Sequence, residues 1–146
     1  MTSSLWLRIS AVLVFLTAVG HTVGGRKLWS PMGSNAVLDK MRSTHFDLNG
    51  LDRTYLDFYL GFGYSISVFQ VMLAVLLWQI ARLAASDPDS ARPMIVVVAL
   101  ATVGCAVVAY NFIFPLPAIL SLVLLATLGA AYALACKPNP VRVPRI

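Results

Sequence analysis

A chain of 146 residues that is 59% hydrophobic and only 12% charged is too apolar for a water-soluble domain and falls in the membrane class. Its formal charge of +5, from 11 Lys+Arg against 6 Asp+Glu, then reflects topology and anionic lipid. No basic patch interleaved with aromatics and no nucleic-acid motif is present, so a nucleic-acid partner is excluded.

Taken in order, the chain predicts an all-α fold: an integral membrane four-helix bundle, one domain over 1–146. The first apolar run, Leu5–Val23, is long enough to cross a hydrocarbon core that takes about 20 residues. Arg8 is its one early positive charge and no small-x-small cleavage site follows, so it reads as a retained helix rather than a signal peptide. Gly24-Gly25 ends it, as residues that tolerate a left-handed C-cap.

The loop 26–52 is too long for a plain connector in so small a protein. Ser34-Asn35 can cap a short helix in which Ala36, Val37, Leu38 and Met41 adjoin Lys40 and Arg42, and Trp29 and Met32 suit a membrane interface. The expectation is an ordered extracytoplasmic loop with a short interfacial helix, either floating at the headgroups or forming a lid over the helix ends.

The second span, 53–84, is roughly 45 Å long at 1.5 Å per residue, so it must tilt or protrude. Ser86-Asp-Pro-Asp-Ser90 reads as the turn after it. The third span, 93–111, places Pro93 in a first turn, and a short apolar hairpin, Phe112–Pro117, leads into the fourth, 116–136. The proline-rich tail, 137–146, is not helical.

Four spans put both termini on one side. Arg8, Arg82, Arg92, Lys137, Arg142 and Arg145 lie there, against Arg26, Lys27, Lys40, Arg42 and Arg53 opposite, a slight bias toward cytoplasmic termini in a cell inner membrane.

Cys105 falls mid-span and Cys136 at a span end, about 15 Å apart in height, which excludes a disulfide between them. Small residues recur at four-residue spacing: Ala101, Cys105 and Ala109 on one helix, and Ala126 with Ala130 and Gly129 with Ala133 on the next. They predict close bundle contacts or a homo-oligomer seam.

Polar residues inside apolar spans are costly and point to the protein interior. Ser10, Thr17 and His21 share one face of the first helix, Asp57, Gly61 and Tyr64 a stripe of the second, and Gly63, Ser67, Gln70 and Ala74 the stripe beside it. Alternating span directions bring His21, Asp57 and Asn111 to one bilayer level. The reading is therefore a polar pocket at the extracytoplasmic mouth: His21 paired with Asp57, then Thr17, Tyr55, Tyr59, Tyr64, Ser67 and Asn111, with Gln70 as the floor. The plainer alternative is that His, Tyr and Asn settle at interfaces and Asp57 favours the positive end of its helix or pairs with Arg53. Glycines 61 and 63 serve close packing or leave room for a ligand.

Two histidines, His21 and His45, exclude a three-histidine zinc site, and a metal or bis-histidine haem built from them with Asp47 and Asp57 has no supporting spacing.

Gly20-His21, Tyr55-Leu-Asp-Phe-Tyr-Leu-Gly-Phe-Gly63 and Asn111-Phe-Ile-Phe-Pro-Leu-Pro117 together resemble the small four-helix bacterial inner-membrane proteins, with a looser likeness to the DoxX-like group. That resemblance covers most of the chain and, because DoxX-like relatives are associated with quinone-linked membrane complexes, implies a quinone or accessory role; it carries over no catalytic residue.

Two functions remain in competition. One is a binding or accessory protein that holds a lipid-like or quinone-like amphipathic molecule or packs against a larger membrane complex. The other is an enzyme using His21 and Asp57 for acid–base chemistry on a lipophilic substrate, as an isomerase or in a quinone-linked reaction. Nothing acidic lies deeper than Asp57, which favours the first.

Overall fold

The computed structural model describes residues 2–30 and 32–137. Their elements run α1 (Ser3–Gly25), α2 (Ala36–Ser43), β1 (His45–Leu48), β2 (Leu51–Thr54), α3 (Tyr55–Ser86), α4 (Pro88–Phe112) and α5 (Pro115–Ala135). Among the described residues α1, α3, α4 and α5 are long and apolar enough to cross a membrane. The tail expected at 138–146 lies outside the described residues.

Two boundaries differ from expectation. Ser86–Ser90 is not a free turn: Asp87 alone separates α3 from α4, and its carboxylate accepts from the Ser90 backbone N–H (3.4 Å) and hydroxyl (2.6 Å). With Pro88 fixing the first helical φ, the residues that read as a break instead start a helix. Pro93 consequently sits inside α4 rather than in its first turn. Likewise Pro115 opens α5 directly, with only Ile113 and Phe114 between it and α4.

The chain forms two compact units, with α1 and α3 contributing to both. One comprises the residues up to Val14 and those from Leu73 onward. Its core is a four-helix packing of Leu7, Ala11 and Val14 from α1, Ala74, Leu77 and Ala81 from α3, Ile95 from α4, and Leu124, Leu128 and Ala131 from α5. Ser10 and Thr127 meet within it, their hydroxyls 2.8 Å apart and both buried. Each hydroxyl also reaches a carbonyl of its own helix, so no polar atom of the pair faces hydrocarbon alone. Arg92 donates from Nε and Nη2 to the Ala135 carbonyl (3.0 and 2.6 Å), closing the C-terminus of α5. Arg8 lies 5.5 Å above the Trp78 ring.

The small-residue stripes do not build this core. On α5 the buried face is Leu124, Thr127, Leu128, Ala131 and Ala135, while Ala126, Gly129 and Ala133 are exposed. On α4 Ala109 is buried, but Ala101 and Cys105 are exposed. Alanines do enter the core, Ala11, Ala74, Ala81 and Ala131 among them, but from outside those stripes.

The second unit, Phe15–Met72, holds the remainder of α1 and α3 and everything between them. Asn35 caps α2 as expected, its side chain accepting from the Val37 and Leu38 backbone N–H groups (3.0 and 3.2 Å). The segment after α2 is not loop but an antiparallel hairpin, a departure from the all-α expectation. Asn49 and Gly50, at φ 55° and 82°, form its two-residue turn, both positive as a type I′ turn requires. Phe46 opposes Arg53 and Leu48 opposes Leu51 on one face; His45, Asp47, Asp52 and Thr54 occupy the other. Arg53 and Thr54 therefore belong to β2, and α3 starts two residues later than the apolar pattern implied.

Candidate functional site

The first turn of α3 is built by Thr54 and Asp57. The Thr54 backbone N–H and hydroxyl both donate to Asp57 Oδ2 (2.9 and 2.8 Å), and the Asp57 N–H reaches back to Thr54 Oγ1 (3.1 Å). This reciprocal pair satisfies backbone donors that a helix start leaves open, with aspartate in the place usually taken by glutamate. The expected pairing of Asp57 with His21 does not form: a cap three residues away secures the carboxylate. His21 Nδ1 instead meets the Ser67 hydroxyl at 3.0 Å, joining α1 to α3.

Space around His21 is taken by Trp29. Its indole N–H donates to the His21 carbonyl (2.8 Å), its ring lies 5.1 Å from the imidazole, and Tyr59 and Tyr64 approach it edge-on at 6.2 and 5.0 Å. Three glycines make this possible. A Cβ on Gly25 or Gly63 would fall inside the indole's van der Waals envelope, and one on Gly24 would press against it at 3.3 Å. Gly24-Gly25 thus serves as clearance rather than as a left-handed cap.

The cap is Leu28, at φ 54°, with the Trp29 N–H bonded to Gly24 (3.2 Å) and the Leu28 N–H to Gly25 (2.9 Å), the paired bonds of a Schellman motif. Leu28 and Trp29 (φ 46°) both occupy a region that costs non-glycine residues roughly 1–2 kcal/mol each. Seating the indole offsets that strain. Trp29, read from sequence only as an interfacial residue, is the centre of this cluster.

The other expected pocket residues are accounted for individually. Thr17 is half-buried, and Gln70 has a buried Oε1 that accepts no hydrogen bond among the described residues. Tyr55 is exposed and packs on Phe46 (5.2 Å). Asn111 belongs to the other unit, where its Nδ2 donates to the Val107 carbonyl (2.8 Å) of its own helix. His45, considered as a ligand with Asp47, pairs with Asp52 across the hairpin (3.0 Å). Among the described residues no three His, Cys, Asp or Glu side chains gather to hold a metal.

Open hollows flank the described residues of this unit. A cleft of about 640 Å³ is lined by Ala36, Val37, Lys40, Met41 and Thr44 of the α2 segment and by Tyr55. A groove of about 360 Å³ runs between the hairpin and α3, lined by Phe46, Leu48, Arg53, Asp57, Phe58, Gly61, Phe62 and Ser65. Its aromatic wall is a ladder: Phe46 stands 6.1 Å from Phe58, which stands 4.8 Å from Phe62, both pairs edge-on. A Cβ on Gly61 would meet nothing within 4 Å, so this glycine opens the groove. Sequence reading identified Asp57 and Gly61 but not the aromatic wall; the Asn49-Gly50 dipeptide, which announces the hairpin, was the signal that could have found it.

Four long apolar helices define the chain as a multi-pass membrane protein. Searches among protein-family models, curated proteins and solved structures return no match for it.

Proposed function

We propose that this protein is a small inner-membrane binding or accessory protein that holds an amphipathic, lipid-like molecule in the groove between the hairpin and α3. In this reading the groove lies on the extracytoplasmic side and both termini are cytoplasmic, in line with the slight excess of positive charge there, Arg8, Arg82, Arg92, Lys137, Arg142 and Arg145 against Arg26, Lys27, Lys40, Arg42 and Arg53. The observation that carries it is the composition of the groove: an aromatic wall continuous with a membrane span, and two opposite charges, Arg53 and Asp57, in the same lining. Hydrocarbon suits the rings, and a polar head suits the charges. A quinone head or a larger membrane complex offering an acyl-like segment fits the same description.

The acid–base alternative finds less support, because His21 and Asp57 are engaged separately, with Ser67 and with Thr54. The test is native mass spectrometry of the protein released from membranes. A lipid or quinone adduct is expected on the wild type and is lost in Gly61→Leu, whose side chain fills the groove from a position with free space around it. Equal occupancy in both proteins would reject the groove as the binding site.

A further inference from the structure

Resting on that reading, we infer that the groove selects a glycerophospholipid with a primary-amine head, of the phosphatidylethanolamine type. The argument starts from what Arg53 and Asp57 leave unused. Both hydrogen bonds to the Asp57 carboxylate fall on Oδ2, and among the described residues Oδ1 carries none. The Arg53 guanidinium donates from Nη1 to the Asp52 carbonyl (2.8 Å), which leaves its other N–H groups unengaged. Among the described residues neither side chain is within ion-pair distance of a partner; Arg53 and His45 act on the Asp57 carboxylate only at longer range, and Arg53 and Asp57 line one groove.

A cation and an anion that share a groove without closing on each other match a ligand carrying both signs. A phosphate takes the planar N–H fork of a guanidinium, and an ammonium takes a carboxylate oxygen. Phosphate and amine separated by a two-carbon link supply that pair on one molecule. The acyl chains then lie along Phe58 and Phe62, which are 54% and 61% exposed and belong to a membrane span.

Leu48 and Leu51, 58% and 57% exposed on the hairpin face that also bears Phe46 and Arg53, extend this apolar surface past the span. A head lacking the amine satisfies only Arg53. A trimethylated amine has no N–H for Oδ1.

The experiment offers the delipidated protein, in detergent, equimolar dioleoyl phosphatidylethanolamine, phosphatidylglycerol and phosphatidylcholine, and counts bound lipids by native mass spectrometry. The amine lipid is expected to be retained about 5-fold over either competitor, the size of one partly exposed charge-assisted contact. Asp57→Asn keeps an acceptor for Thr54 and should bring the ratio to parity. Arg53→Gln should lower retention of all three lipids.

Groove-dependent retention with no headgroup preference, or a preference that survives Asp57→Asn, overturns this inference while leaving the binding reading intact. The same holds if a quinone displaces all three lipids. Retention of each lipid undiminished in Gly61→Leu overturns the binding reading itself.

Discussion

Gly61 and Gly63 sit two residues apart in the same helix, yet their surroundings call for opposite outcomes on adding a methyl group. At Gly61 the new Cβ meets open space, and alanine restricts the unfolded chain and favours the helix, so Gly61→Ala should be neutral or stabilising by up to about 1 kcal/mol. At Gly63 the methyl would enter the Trp29 ring, a rigid plane that Gly25 also approaches closely. Overpacking of this kind costs about 1–3 kcal/mol. Thermal unfolding in detergent should therefore separate the two variants, with Gly63→Ala the less stable. Gly63→Ala combined with Trp29→Ala should then cost less than the sum of the two single changes, since the second removes the clash created by the first. Equal melting of Gly61→Ala and Gly63→Ala would contradict the wedge.

At the scale of elements, the hairpin depends on its turn. Gly50 at φ 82° and Asn49 at φ 55° are the residue types a type I′ turn needs, and Asp47 Oδ1 accepts from the Gly50 N–H at 3.0 Å. Valine at Gly50 should unpair β1 from β2, release Phe46 from the aromatic ladder and raise amide hydrogen exchange at residues 45–54, with exchange in α4 and α5 unchanged. Protection at Leu48 and Leu51 equal to wild type would contradict this.

The four spans were legible because each needs only an uninterrupted apolar run, a property that survives in composition alone. Their ends were less so, since Asp87 and Pro88 break a helix and begin one with the same chemistry. Asp57 was placed by membrane level, and level says nothing about azimuth or about a hydroxyl three residues upstream. Trp29 was hardest to place. Its backbone folds back through two left-handed residues, Leu28 and Trp29, that no local preference would put there, and only the glycine trough on α1 and α3 explains it.

For the molecule as a whole, an even number of spans makes a strict prediction about sides. Under the proposed orientation, and with Cys105 and Cys136 replaced by serine, single cysteines at Thr2 and Lys137 should be shielded from a membrane-impermeant maleimide in intact cells. A cysteine at Asp47, exposed on the polar face of β1, should react. Labelling at Thr2 or Lys137 but not at Asp47 would invert the proposed orientation, and labelling at Thr2 and Asp47 together would remove a span.

The indole wedged against α1 and α3 carries a further implication, one of timing. Residue 29 is part of the segment that joins two spans, so the ribosome delivers it after one helix and before the next. The adjoining ends of α1 and α3 cannot reach their final fit until that segment has been sorted to its own side of the bilayer. The fit of those two helix ends and the placement of the segment between them are thereby made to depend on each other through one side chain.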